Sequence, residues 1–181
     1  MNAFVTLVEE NPLAVAFGAL GLFCQLVWPL FRARRAIMTA QFGIGADYSA
    51  HYALMDAWSG AGVAAIGATQ TAVTIIAGDR PWLRWMGLVF LPVVTVICAV
   101  TWCGIASLFA LAAVSLIMVG RMQGDTLRVR LFMLAAAPFG MGYDIVIGSV
   151  PALIGGIVSA TIAVAMLVRE IRERRAAAVP A

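Results

Sequence analysis

The sequence contains no lysine and little charge of either sign. Charged residues make up 12% of its 181 residues, and there is a single histidine. A soluble domain usually carries about a quarter charged residues. Hydrophobic residues instead account for 63% of the chain, and the mean hydropathy is +0.98. The composition therefore excludes an ordinary soluble domain and predicts an all-α integral membrane protein.

The sequence also lacks the short motifs that support catalysis or metal binding. It has no nucleotide-binding glycine loop, no HExxH zinc motif and no GxSxG serine. Its three cysteines, Cys24, Cys98 and Cys103, lie in apolar runs without metal-ligand spacing. We therefore expect no enzyme, no metal and no cofactor, and the alternative that stays open is an enzyme that uses the single histidine. Nucleic-acid binding is also disfavoured, because the arginines lie in four separate short connections.

The apolar blocks predict seven transmembrane helices. They cover residues 12–31, 36–78, 85–120 and 131–168. As single helices the last three would each exceed about 50 Å, whereas a hydrocarbon core is about 30 Å thick. Each must therefore fold into a helical hairpin. The turn signals place the breaks at residues 56–59, 102–104 and 148–151.

The twelve arginines predict the orientation of the chain. They follow the first, third, fifth and seventh predicted helices: Arg32, Arg34, Arg35, Arg80, Arg84, Arg121, Arg128, Arg130, Arg169, Arg172, Arg174 and Arg175. By the positive-inside rule, the N-terminus lies outside and the C-terminus in the cytoplasm. Glu9 and Glu10 precede the first apolar run, the reverse of a signal peptide, so we expect a retained first helix.

A shift of 91 residues indicates an internal repeat. The small-residue stripe Gly60, Ala64, Ala68, Ala72 maps onto Pro151, Gly155, Ser159, Ala163, and Tyr52 maps onto Tyr143. Seven helices permit two parallel three-helix bundles with a linker helix between them. The predicted units are residues 1–84, a linker at 85–102, a second bundle at 103–168 and a cytoplasmic tail at 169–181. Chance is the alternative, since alanine and glycine are abundant.

Several short segments resemble a known membrane family. These segments are Phe23-Cys24-Gln25, Arg34-Arg35, Gln41, His51-Tyr52-Ala53-Leu54 and Ala57-Trp58-Ser59-Gly60-Ala61. They are similar to the bacterial inner-membrane YgjV-type family. Leu127-Arg128 and the run from Tyr143 to Ser149 resemble that family and, more loosely, the SWEET, PQ-loop and KDEL-receptor group. The resemblance spans roughly residues 19 to 168 and implies inner-membrane localisation, but no particular activity.

Polar residues inside the predicted helices are the candidate solute-binding site, because polarity inside lipid is costly. Asp47 and His51 are four residues apart and can touch on one face of the second helix. Their pair could bind a polar solute or exchange a proton near neutral pH. The structural alternative is that Asp47 accepts a hydrogen bond from His51 or Tyr48.

Four further residues complete the candidate site: Gln25, Gln70, Tyr143 and Asp144. Asp144 either faces the same cavity as His51 or lies at the water interface. The two glutamine amides need partners in lipid, which either a midplane cavity or bonds between helices would supply.

These features favour a small-solute transporter or solute-binding protein whose polar cavity lies between the two bundles. The alternative is a receptor or assembly partner for a lipid, peptide or enzyme complex that transports nothing. The expected partners are the lipid bilayer and a small solute, and the sequence leaves homo-oligomer formation open.

Overall fold

The computed structural model describes residues 11–78, 80 and 83–177, and in these ranges it is helical without strands. A short 3-10 helix, Trp28–Leu30, continues the first α-helix. The seven α-helices are α1 (Pro12–Val27), α2 (Arg34–Leu54), α3 (Trp58–Ala77), α4 (Leu83–Val100), α5 (Ile105–Arg121), α6 (Thr126–Ile147) and α7 (Val150–Ala177). The described residues thus contain seven α-helices, as many as the sequence predicts, and four helical segments are long and apolar enough to cross a membrane. Glu9, Glu10 and the last four residues of the predicted tail lie outside the described residues.

The three predicted hairpin breaks also occur where the sequence places them. The chain leaves the helical conformation at residues 55–57, 101–104 and 148–149. Gly104 and Gly148 have φ angles of 71° and 74°, and Asp56 has a φ of 56°. Glycine adopts this left-handed conformation readily, and aspartate tolerates it better than most residues. Short turns of this kind reverse the chain, so successive helices run antiparallel.

The helices form a closed ring with one helix outside it. Around the ring, α1 packs on α2, α2 on α3, α3 on α5, α5 on α6, α6 on α7 and α7 on α1. Helix α4 packs mainly on α3 and α5. All arginines in the described residues lie where odd-numbered helices finish or even-numbered helices begin. We call this the arginine end of the bundle and the other the opposite end.

Three clusters of buried side chains fill the interior. Toward the arginine end lie Trp28, Ile37, Met38, Val129 and Met133. Toward the opposite end lie Tyr48, Tyr52, Ala106, Tyr143 and Ala152. The third cluster joins α4 to the ring through Val63, Val94, Cys98, Val114 and Met118.

The outer faces are apolar, as a lipid-facing surface requires. Four helical segments are long and apolar enough to cross a membrane: Pro12–Leu30, Trp58–Ile76, Thr126–Ile147 and Val150–Ala177. The shorter segments Val89–Val100 and Ile105–Arg121 are also apolar. Helix α2 is more polar because it carries Arg34, Arg35, Gln41, Asp47 and His51. Most of its polar side chains face neighbouring helices, and Gln41 and His51 are buried there.

Both small-residue stripes face the interior. All four stripe positions of α7 are buried, and in α3 Gly60 and Ala68 are buried. A Cβ on Gly45 would lie 3.0 Å from the backbone nitrogen of Ala68, which shows how closely α2 approaches α3. Helices in lipid associate through such close packing rather than through the hydrophobic effect.

The last turns of α7 extend past the apolar segment and are tied down by ion pairs. Arg169 bonds to Glu173 at 2.8 Å and Arg174 to Glu170 at 2.7 Å. These are the spacing-four pairs that the sequence predicts. Arg174 also reaches Asp125 at 2.6 Å, and this bond lowers the pKa of the Asp125 carboxyl below its ordinary value.

Candidate functional site

A two-lobed cavity lies between helices α1–α3 and helices α5–α7. One lobe, of about 150 Å³, is lined by α2, α3, α5 and α6 and includes Arg121; we call it the arginine lobe. The other, of about 120 Å³, is lined by helices that include α1, α2, α6 and α7 and contains Asp144; we call it the aspartate lobe. The lobes are adjacent, because both are lined by Gln41, Ile44, Ile117 and Gly140.

A hydrogen bond between the two halves of the chain lies where the two lobes meet, since Tyr52 lines the arginine lobe and Asp144 lines the aspartate lobe. The Tyr52 hydroxyl on α2 donates to Oδ1 of Asp144 on α6 at 2.6 Å. Asp144 is only 6% exposed. The Tyr52 ring also stacks on Tyr48 at 5.7 Å and meets the edge of Tyr143 at 5.4 Å. The single turn between Tyr48 and Tyr52 puts both rings on the face of α2 that meets α6.

A second hydrogen bond fixes Gln25 in the wall of the aspartate lobe. The Tyr48 hydroxyl donates to Oε1 of Gln25 at 2.5 Å. Gly155 on α7 makes room for this amide, since a Cβ at that position would overlap Gln25. The small residue of the α7 stripe therefore allows a polar side chain to enter the space between α1 and α7.

The arginine lobe contains a buried guanidinium without an acidic partner among the described residues. Arg121 is 4% exposed. Its Nη1 donates to the carbonyl oxygen of Gly67 at 2.9 Å, and its Nη2 donates to Oε1 of Gln41 at 3.3 Å. Its Nε has no hydrogen-bond partner. Nη1 and Nη2 each carry a second N–H beyond these bonds, so the guanidinium has donors to spare for a ligand.

Sequence reasoning missed Arg121 because it attributed every arginine to topology. A signal was nevertheless present in the spacing of α5. Ala110, Val114, Met118 and Arg121 follow one another at intervals of three or four residues, and all are buried. This periodicity places the arginine on the inward face of the helix rather than at a solvated end.

Three of the six predicted site residues line the cavity. Gln25 and Asp144 line the aspartate lobe, and Tyr143 lines the arginine lobe. Gln70 lies outside both lobes, buried between α3 and α5, with its Nε2 at 3.5 Å from the carbonyl oxygen of Met118. Its Oε1 has no partner.

The structure does not bring Asp47 and His51 together as the spacing predicts. The His51 ring is fully buried, with Nδ1 at 2.8 Å from the carbonyl oxygen of Ala14 and Nε2 at 2.9 Å from Oγ of Ser149. Both ring nitrogens are therefore occupied, one by α1 and the other by the turn that precedes α7. Asp47 is half-buried and lies 4.0 Å from Sγ of Cys24. The two side chains of α2 point to different neighbours, and neither lines a lobe.

Within the described part of the chain, no three His, Cys, Asp or Glu side chains are grouped as a metal site would require. The polar groups that line the cavity are tyrosine hydroxyls, the Ser159 hydroxyl, amides, one carboxylate and one guanidinium. Such a set binds organic polar groups through hydrogen bonds and charge.

Comparison with known proteins gives a family but no individual relative. No curated protein and no solved structure matches the chain. The looser similarity to the SWEET, PQ-loop and KDEL-receptor group therefore stays a prediction. The sequence profile of a bacterial inner membrane protein family matches residues 12–174, which contain all seven helices except the last turn of α7. The chain belongs to this family, Imp-YgjV, and is a bacterial inner membrane protein.

Proposed function

We propose that all seven helices cross the inner membrane as two three-helix units, α1–α3 and α5–α7, joined by α4. The 91-residue shift supports this repeat, because it carries the starts of α1, α2 and α3 to within two residues of the starts of α5, α6 and α7. Parallel repeats of this kind require a linker helix.

The packing pattern supports the same arrangement. The 91-residue shift maps α1 onto α5 and α3 onto α7. The contact of α1 with α7 therefore corresponds to the contact of α5 with α3, and both are present. Tyr52 and Tyr143, which are 91 residues apart, meet each other where the two units touch. Each unit also sends an arginine to carbonyl oxygens that end the first helix of the other. Arg130 reaches Pro29 and Phe31, while Arg34 reaches Arg121 and Gln123.

The shorter helices also suit a crossing. Helix α5 has 17 residues and α4 has 18, which correspond to about 26 Å and 27 Å at 1.5 Å per residue. A hydrocarbon core is about 30 Å thick, and short segments are accommodated by local thinning. With all arginines at one end, the positive-inside rule puts that end in the cytoplasm and the start of α1 outside.

The proposed function is binding and transmembrane movement of a small solute through the two-lobed cavity. The observation that carries it is the position of the cavity between the two units, with Asp144 in one lobe and Arg121 in the other. Solute sites at the interface of repeats suit alternating access, in which one unit rocks against the other. The alternative, a receptor or assembly partner that transports nothing, predicts polar groups satisfied by one another. The buried guanidinium of Arg121 lines the cavity and has no acidic partner among the described residues, which favours a solute.

A cavity-filling substitution tests the proposed function. Gly140 lines both lobes, and a Cβ there would meet nothing within 4 Å. Purified wild-type protein is screened by thermal shift against metabolites, sugars and nucleosides at pH 6 and pH 8. Any solute that stabilises it is then assayed for uptake into proteoliposomes. Gly140→Leu should abolish both the stabilisation and the uptake.

The matched control is Ala135→Leu, which places the same leucine side chain at an exposed position of α6. It should keep both activities. Solute stabilisation that survives Gly140→Leu would place binding elsewhere. If no solute stabilises the protein and only particular lipids do, the receptor or assembly-partner function replaces transport.

A further inference from the structure

The guanidinium of Arg121 lies far from the end of the helix that carries it. Its partner Gly67 is the tenth residue of the 20-residue helix α3. Gly67 leaves room for this approach, because a Cβ there would lie 3.0 Å from Nη1 of Arg121. The side chain therefore reaches from the arginine end of α5 to mid-height in the bundle, where a charge is costly unless it is compensated.

The described residues offer Arg121 no compensating charge. Its two hydrogen bonds go to a carbonyl oxygen and an amide oxygen, both neutral. The buried carboxylate of the cavity, Asp144, lies in the other lobe and is bonded to Tyr52. A guanidinium has five N–H donors in a planar fork that fits a carboxylate with two parallel bonds. Nη1 and Nη2 use one N–H each here, so their remaining N–H groups can donate to an anionic group.

The rest of the arginine lobe is suited to an apolar body. Ile44, Val63, Val114 and Ile117 line it together with small residues, and the rings of Tyr48, Tyr52 and Tyr143 form one side. Its volume is about 150 Å³, and an apolar cavity of about that size in another protein accepts benzene. The lobe is therefore matched to a compact molecule that is apolar except for one charged group.

We propose that the arginine lobe binds a small organic acid with a single carboxylate and a compact apolar body, and that Arg121 holds the carboxylate. This inference rests on the proposed function and names the class of its solute. The carboxylate bonds to the guanidinium at the Gln41 side, and the apolar part lies against the tyrosine rings. Aliphatic and aromatic acids share this chemistry, and a lobe of about 150 Å³ suits an apolar body of a few carbon atoms or one ring.

A series of ligands of one shape tests the inference on the wild-type protein. Benzoate, its neutral counterpart benzamide and the cation benzylamine are titrated into the purified protein by calorimetry, with propionate as a smaller acid. Because a hydrogen bond to a charged group is worth about one to two powers of ten in affinity, benzoate should bind at least about tenfold more tightly than benzamide. Benzylamine should not bind detectably.

Two substitutions of Arg121 assign the selectivity to its guanidinium. Arg121→Met should lower benzoate affinity at least about tenfold and abolish the preference over benzamide. Arg121→Lys keeps the charge but not the planar fork, so it should retain part of the preference. The matched control is Arg128→Met, which removes a charge from an exposed position in the first turn of α6 and should bind benzoate as wild type does. Should Arg121→Met fail to fold, the lysine variant and the wild-type series still decide the question.

The outcomes separate this inference from the proposed function. Equal affinity for benzoate and benzamide, unchanged benzoate binding in Arg121→Met, or no binding of either acid would overturn the inference. If a neutral solute from the broader screen binds to the wild-type protein but not to Gly140→Leu, the cavity is still a solute site. In that case only the inference that the solute is an organic acid fails. If neither acids nor neutral solutes bind, both proposals fail.

Discussion

At the scale of single residues, the bond between Tyr52 and Asp144 is the most consequential contact in the cavity. It is the only hydrogen bond that Asp144 makes through its side chain among the described residues, and it crosses from one half of the chain to the other. A buried carboxylate that loses its donor pays the cost of desolvation without compensation. The contact therefore stabilises the cavity wall as well as orienting the carboxylate.

Tyr52→Phe should lower the free energy of unfolding by about 1–3 kcal/mol, because the ring packing stays while the donor to Asp144 is lost. The measurement is thermal and denaturant unfolding of the purified protein in detergent. Asp144→Asn serves as the second arm of a double-mutant cycle, in which the Tyr52→Phe cost should shrink. Strictly additive costs would mean that the two side chains do not interact in solution.

His51 illustrates what residue spacing does not reveal. The sequence indicates correctly that α2 carries polar groups on a buried face, and spacing of four predicts a pair with Asp47. The partners of His51 are instead a backbone carbonyl of α1 and a hydroxyl at the start of α7, which lies 98 residues away in the chain. Such long-range partners depend on the packing of three helices and cannot be found from spacing along one helix.

At the scale of helices, small residues determine how closely the two halves approach. Gly60 of α3 lies directly against Tyr143 of α6, so that a Cβ at this position would come within 2.6 Å of the Tyr143 Cζ. Since the ring of Tyr143 in turn packs on Tyr52, this glycine supports the contact between the two units.

Gly60→Ala should destabilise the protein by about 1–3 kcal/mol, since the added methyl group forces Tyr143 away and strains a packed interface. The paired substitution is Gly140→Ala, where the added Cβ meets no atom within 4 Å. This variant should not be destabilised, because alanine has a helix propensity up to about 1 kcal/mol more favourable than that of glycine. Melting temperatures of both variants, measured side by side, check the prediction. An equal decrease in melting temperature for both variants would show that the contact between Gly60 and Tyr143 has no special role in stability.

The extension of α7 is a separate element-scale feature, held by charge rather than by apolar packing. Arg174 joins Asp125, at the start of α6, to Glu170 within α7. The pKa of Asp125 is lowered chiefly by the hydrogen bond from Arg174. The pKa of Asp125 is lower in the folded protein than its ordinary value of 3.8. The pair with Arg174 therefore contributes its full stabilisation of the fold above pH 3.8, and this stabilisation is lost as the pH falls through the lowered pKa.

Arg174→Gln should therefore lower the melting temperature slightly at pH 7, and the difference from wild type should shrink toward pH 3. It should shrink in 1 M salt as well, where the Debye length is about 3 Å and exposed pairs are screened. Arg172→Gln removes the same charge from an exposed position of the same helix and should leave the melting temperature unchanged. A pH-independent difference would assign the role of Arg174 to packing.

At the scale of the whole molecule, composition and periodicity were sufficient for the fold, but not for the cavity. The seven helices follow from apolar blocks too long for single crossings, and their ends follow from Gly104, Gly148 and the turn at Asp56. Solute-site prediction requires knowing which polar groups face the space between helices. The sequence marks Gln25, Tyr143 and Asp144 as polar positions, but it gives Arg121 the same apparent role as the other eleven arginines.

The orientation of the molecule in the membrane is a prediction that its native cysteines can test. Cys103 is exposed in the turn between α4 and α5 at the opposite end, whereas Cys98 is buried. Hydrogen bonds from Ser107 and Ser59 lower the pKa of the Cys103 thiol, so a larger fraction is thiolate near pH 8, and thiolate is the reactive form. Positive-inside orientation puts this thiol outside the cytoplasm.

A membrane-impermeant maleimide should therefore label Cys103 in intact spheroplasts at pH 8, and Cys103→Ser should remove that signal. In the Cys103→Ser background, a cysteine placed by Arg128→Cys at the arginine end should react only after the membrane is opened. The two positions lie at opposite ends of the helices that surround the cavity. If Cys103 is labelled in intact spheroplasts and Arg128→Cys is labelled only after the membrane is opened, the direction of every helix is determined. If Arg128→Cys were labelled in sealed spheroplasts and Cys103 of the wild-type protein were not, the orientation would be reversed and the arginine end would lie outside, against the charge rule.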